Sequence, residues 1–146
     1  MKVLIDTNVA LDILLKRQDF LNANIVYSLA EENQISGFIS ASAITDIFFL
    51  SKSDLSKKPA KEALKTLLQV FKPATVTDSH IYQALDLDWS DFEDSVQFVV
   101  GDGLAVDYIV TRNTHDFSSS SIRSKLRCEI PAVTPEGFIK LITDSK

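Results

Sequence analysis

The first six residues constrain this chain more than any other stretch. Val3-Leu4-Ile5 is a short aliphatic run, and Asp6 follows with no turn before a helical pattern that starts at Thr7. A run that is apolar at every position, not at alternate ones, suits a strand covered on both faces, as in a parallel sheet. The opening therefore predicts an α/β fold with a carboxylate at the C-terminal end of its first strand. In such sheets ligands gather beyond those strand ends, where the strand order reverses.

The same alternation recurs along the chain. From Thr7 the residues Val9, Leu11, Ile13, Leu14 and Leu15 suit a helix, a second helix is expected from Asp19 to Asn33, and Phe38-Ile39 reads as a strand after Gly37. Ser40 to Ser51 looks helical, because Ile44, Ile47 and Phe48 fall at i, i+3 and i+4 and leave Asp46 off the buried stripe. Lys52 to Lys61 reads as a polar connection and Ala60 to Phe71 as an amphipathic helix with a basic outer face. Thr75-Val76 is a candidate brief strand, and Thr77 can cap a helix ending at Leu85. Ser90-Asp91-Phe92-Glu93 fits a capping box, so a helix should start near Asp91 and stop near Val100, with Gly101 and Gly103 allowing a left-handed end. Tyr108-Ile109-Val110 and Ala132-Val133 are further short strands. Between them lie a polar string from Thr111 to Asp116 and a serine tract at Ser118 to Ser121. Thr134-Pro135 then opens a last helix through Phe138, Ile139, Leu141 and Ile142. Strands alternating with helices predict a mostly parallel sheet covered on both faces.

Composition narrows the class. A length of 146 residues favours one domain over 1–146. Hydrophobic residues at 45% and charged residues at 24% exclude a disordered or collagen-like chain. The single cysteine, Cys128, cannot form an intramolecular disulfide. The start, Met1 to Asp6, lacks the apolar stretch of a signal peptide, and no apolar run is long enough for a membrane span. A cytoplasmic protein without membrane association is expected. The net charge of -5 disfavours holding nucleic acid by bulk electrostatics. It does not exclude a nuclease, because a bound cation locally reverses the field of clustered acids.

The acids are therefore informative by position. Asp6 ends the first strand, Asn113 and Asp116 follow the Tyr108–Val110 strand, and Asp94 and Asp46 sit in early turns of helices that can pack beside them. Carboxylates converging in one place repel unless they are paired, and Mg²⁺ or Mn²⁺ resolves that repulsion with oxygen ligands and retained waters. Each acid also has a plain structural reading: Asp6 as a helix N-cap, Asp46 on a solvated face, Asp116 as a turn cap, and Asp91 and Glu93 as macrodipole residues. Asp86 and Asp88 read as a solvated loop. His80 and His115 lack the spacing of zinc ligands, and Gly101-Asp102-Gly103 lacks the context of a phosphate loop. Lys57, Lys58, Lys61, Lys65, Arg112, Arg123, Lys125 and Arg127 are candidate phosphate contacts, though a solvated surface explains most of them.

Taken together, Val3-Leu4-Ile5-Asp6-Thr7-Asn8-Val9, Asp91-Phe92-Glu93-Asp94 and Ile109-Val110-Thr111-Arg112-Asn113-Thr114-His115-Asp116-Phe117 resemble the PIN-domain family over essentially the full chain. Within it they resemble the branch that contains VapC-type toxins. The resemblance implies a three-layer α/β/α sandwich and a divalent-metal site. Asp6, Asp94 and Asp116 would be the metal acids, and Asp46 would stand where the family usually has Glu, one methylene longer. These four would be the catalytic set. Thr7, Asn8, Thr111 and Asn113 would support them, and Arg112 or the Lys57 to Lys65 face would guide substrate.

The implied chemistry is Mg²⁺- or Mn²⁺-dependent hydrolysis of RNA phosphodiesters with no protein nucleophile. The implied partners are an RNA substrate, a cognate antitoxin and a second copy of the chain, joined through apolar faces around Leu11 to Leu15 or Phe48 to Leu50. The alternative is a non-catalytic PIN-like module that binds RNA or protein. A third class, aspartyl phosphotransfer on Asp6, is weakened because the dehalogenase type needs an acid two residues on, where Asn8 stands.

Overall fold

The computed structural model describes residues 1–117 and 130–145, apart from the side chain of residue 116. β1 (Lys2–Ile5) leads into α1 (Thr7–Leu15), α2 (Phe20–Glu31) and β2 (Ser36–Ser40). α3 (Ala41–Asp54), α4 (Lys57–Val70) and β3 (Lys72–Ala74) follow, then α5 (Asp78–Leu85), α6 (Phe92–Leu104) and β4 (Tyr108–Val110). A 3-10 turn (Thr114–Phe117), β5 (Ala132–Val133) and α7 (Pro135–Asp144) complete the described chain. Cys128, the serine tract, Arg123, Lys125 and Arg127 lie outside the described residues.

All strand pairs are parallel, in the order β3-β2-β1-β4-β5. The chain builds outward from β1 to β3, then returns to place β4 on the other side of β1. Strand order therefore reverses between β1 and β4, and that junction is where a ligand site is expected.

The unbroken apolar run of β1 has a direct cause. Val3 and Ile5 pack into one layer with Val9, Val26, Ile47, Phe71 and Phe138. Leu4 faces the opposite layer with Val96, Val100, Ile109 and Phe117. All three strand residues are fully buried, each contributing about 1.5–3 kcal/mol of burial. Helices thus cover both faces, as the pattern predicts. Gly37 is required by close packing, since a Cβ there would stand 2.4 Å from the Phe71 ring.

Several local expectations need correction. The connection expected over Lys52 to Lys61 is only Leu55 and Ser56, because α3 continues to Asp54 and α4 begins at Lys57. Lys, Glu and Ala are good helix formers, and Pro59 falls in the first turn, where its missing N–H breaks no bond. The brief strand is Lys72–Ala74, not Thr75-Val76, and pairs with Phe38 to Ser40. Pro73 is tolerated because β3 is an edge strand. The N-cap of α6 is Asp91, whose side chain accepts from the Asp94 N–H, and Ser90 lies outside the box. α6 also runs past both glycines to Leu104, and the left-handed residue is Ala105. Packing of Gly101 beside Leu4, Val106 and Ile130 explains a glycine inside the helix, because a Cβ would crowd Val106 at 3.2 Å.

Of the two apolar faces expected to serve a dimer, Leu11 is buried, whereas Phe49 and Leu50 on α3 are exposed at 68% and 43%. Among the described residues no helix is long and apolar enough to cross a membrane.

Candidate active site

Asp6 occupies the junction between β1 and β4. Its backbone N–H continues the sheet ladder to the Val110 carbonyl at 3.0 Å, and its side chain caps α1 by accepting from the Thr7 N–H at 2.7 Å. The cap is thus real, and it is only part of the story. Asp6 is buried, and three further side-chain donors reach it. Gln97 Nε2 donates to Oδ1 at 2.9 Å, Thr111 Oγ1 donates to Oδ2 at 2.7 Å, and Asn8 Nδ2 donates to Oδ2 at 3.2 Å. A buried carboxylate with donors on both oxygens is held in one orientation at little desolvation cost.

The four residues expected to support the acids make different contacts. Thr111 is fully buried at the end of β4 and also accepts from the Asn113 N–H at 3.0 Å. Asn8 is part-buried and accepts from the Arg112 N–H through Oδ1 at 3.1 Å. Thr7 does not touch Asp6 with its hydroxyl; it donates instead to Glu93 at 3.0 Å. Asn113 contributes its backbone to this network, and its residue is exposed. The Arg112 guanidinium has internal partners, Asp12 Oδ2 at 2.8 Å and Gln18 Oε1 at 3.0 Å.

Glu93 is the acid that the sequence assigned to a capping box and the helix dipole. In the first turn of α6 it lies part-buried, hydrogen-bonded to Asp46 of α3 and within the fields of Asp46 and Asp6. Burial pushes its carboxyl up, the Thr7 hydroxyl pulls it down, and Asp46 and Asp6 push it up further, to about 7. Asp6, Asp46 and Glu93 thus form one group of interacting carboxylates. Asp94, one residue on, has its N–H fixed by Asp91 and is part-buried. The backbone of Asp116 lies in the 3-10 turn after β4, and its side chain lies outside the described residues.

A family model described as the PIN domain matches residues 2–115. The chain belongs to the PIN-domain family. No curated protein sequence matches it. This PIN domain is similar in fold to VapBC2 from Rickettsia felis, solved with a DNA fragment from its promoter. The TM-score is 0.66 at 13% identity, covering 92% of this chain and 98% of that one. It is also similar to a Klebsiella pneumoniae toxin-antitoxin complex, with TM-score 0.63, 20% identity and coverage of 91% and 97%. Mycobacterium tuberculosis VapC20, a sarcin-ricin loop cleaving toxin, gives TM-score 0.59 at 15% identity and covers 88% of this chain and 98% of that one.

The donor chemistry of this PIN domain fits a hard divalent cation in kind. The acids supply oxygen ligands, and among the described residues Asp6, Asp46 and Glu93 have no Lys, Arg or His ion-pair partner. Clustered carboxylates without a cationic side chain are what a bound cation would relieve. Among the described residues no three His, Cys, Asp or Glu side chains close on one ion by themselves.

Two residues at the site were missed in the sequence. Gln97 carried a usable signal, because it is the one polar residue in the run Val96 to Val100 and is wholly buried, which demands a partner. Glu93 carried none that separates it from Asp91, since both fit a helix N-terminus equally well.

Proposed function

We propose that this PIN domain is a divalent-metal-dependent endoribonuclease and the toxin of a type II toxin-antitoxin pair. The observation that supports the reading best is the buried, multiply donated Asp6 at the strand reversal, facing Glu93 and Asp46. A helix cap needs one acceptor; it does not need Gln97, Thr111 and Asn8 as well, nor two further acids beside it.

In this reading Asp6, Asp94 and Asp116 hold Mg²⁺ or Mn²⁺, and Asp46 acts beside them, through water, because its side chain is short. When bound, the cation lowers the pKa of a coordinated water and offsets charge on the phosphate oxygens. The chain's own groups do the rest. Thr111, Gln97 and Asn8 keep the Asp6 carboxylate in place. Glu93, held by the Thr7 hydroxyl beside Asp46, is a further oxygen donor next to Asp6. Thr7 orients that carboxyl. Single-stranded or looped RNA suits the site, since a flexible backbone can reach acids at a sheet edge.

The toxin role, with an antitoxin as partner, rests on family membership together with fold likeness to toxin-antitoxin complexes. The test is RNA cleavage with Mn²⁺ titrated by calorimetry. Wild type should bind Mn²⁺ and cleave, and Asp6→Asn and Asp94→Asn should each lose on the order of 10²-fold or more in cleavage. Wild-type protein that binds RNA without metal and never cleaves would replace this reading with a non-catalytic binding module.

A further inference from the structure

We propose that Asp12 is a positioning residue for Asp6, acting through Arg112 and Asn8. The proposal rests on the reading of Asp6 as a member of a cation site.

Asp12 lies one helical turn after Asn8 on α1, so both side chains share a face. Its side chain is fully buried, and the Arg112 Nε stands 2.8 Å from Oδ2. The contact falls outside hydrogen-bond angles, and among the described residues neither Asp12 oxygen has a hydrogen-bond donor. The guanidinium charge is therefore what compensates the buried anion. An ion pair of this kind is a poor route to stability, since apolar residues of equal volume often serve as well or better.

Its position is more informative than its energy. Arg112 directly follows Thr111, the shortest side-chain donor to Asp6, and the pair fastens this segment to the helix that carries Thr7 and Asn8. With Arg112 anchored by Asp12 and Gln18, its N–H meets Asn8 Oδ1 at 3.1 Å. That bond fixes which end of the amide faces inward: Nδ2 is directed at Asp6 Oδ2 at 3.2 Å and at Thr111 Oγ1 at 3.4 Å. Without it the amide can turn, bringing an oxygen against a carboxylate in place of a donor. Arg112 thus acts at the site through its backbone, and its charge is spent on Asp12 and not on substrate.

Asp12→Asn alone leaves Arg112 without its buried counter-charge, so the decisive variant replaces both, Asp12→Leu with Arg112→Met. Two readouts are taken on the full chain. In metal-free protein, NMR follows the Asn8 side-chain amide; the double variant should shift these resonances and lose their protection from solvent exchange, while the core unfolds as cooperatively as in wild type. An Asn8 amide unchanged from wild type overturns the proposal, leaving the pair purely structural. By Mn²⁺ calorimetry the double variant should bind about tenfold more weakly. Affinity within twofold of wild type also overturns it. Wild-type protein that binds no Mn²⁺ at all would instead sink the metal-dependent nuclease, while the Asn8 signal would still decide the role of Asp12.

Discussion

The end of β1 and the first turn of α6 bring carboxylates to the same place under opposite conditions. Asp6 is the more deeply buried, yet donors from four residues satisfy both of its oxygens. Glu93 is less buried, receives the Thr7 hydroxyl, and otherwise meets Asp46 and Asp6. The difference teaches that burial alone does not decide the cost of a charge. The partners matter as well: four donors make Asp6 a fixed acceptor, whereas burial, with Asp46 and Asp6 beside it, raises the Glu93 carboxyl to about 7.

The contrast should break most visibly on truncation. Asp6→Ala removes a helix cap and leaves the buried Gln97 and Thr111 donors without their acceptor. Denaturant unfolding of the metal-free protein should show a loss of about 3–5 kcal/mol. Glu93→Ala removes a self-repelling acid, so at pH 8 it should be neutral or stabilising. Equal losses in the two variants would mean that the donors around Asp6 contribute nothing.

A pH series sharpens the same contrast. The folded-state carboxyl of Glu93 is raised from 4.5 to about 7, so the folded protein binds its proton more tightly than the unfolded chain. This contribution to stability is fully present below about pH 4.5 and is lost as pH rises through 7. In chelator, wild type should weaken by about 1–2 kcal/mol across that window, because partial exposure lets solvent screen the interaction. Glu93→Gln should flatten that part of the profile. A wild-type profile already flat there would show that Glu93 is not raised.

The smallest effect is expected at the far end of α1. Arg17 pairs with Asp54 at 3.1 Å, but both side chains are roughly half exposed, at 43% and 51%. Arg17→Gln should change stability by about 0.5 kcal/mol or less, which makes it the surface control for the buried Asp12–Arg112 pair. A loss above about 1 kcal/mol would mean that this end of α1 bears more than a screened ion pair.

Much of this was readable one segment at a time. Val3-Leu4-Ile5 announces a doubly covered strand, and Thr77, Thr134 and Pro135 open helices where local chemistry says they should. Local rules failed where two signals competed in adjacent residues. Ser90 and Asp91 both make good caps, and only the bond from the Asp94 N–H to the Asp91 side chain separates them. Gly101 and Gly103 look like stop signals, yet the packing of α6 against β1 carries the helix past them. The polar stretch after Lys52 looks like a loop, but helix propensity closes it to Leu55 and Ser56.

Period and residue type along the chain were enough to establish the α/β class, the carboxylate at the end of the first strand, and Thr111 and Asn113 just after a second strand. These are local properties, written in hydrophobic spacing and turn chemistry. No spacing rule could show that Gln97 reaches Asp6 from 91 residues away, that Thr7 turns from Asp6 to Glu93, or that Arg112 closes on Asp12. Those contacts join segments whose meeting depends on the order β3-β2-β1-β4-β5. The energy of a buried polar group is set by which partners that order delivers to it.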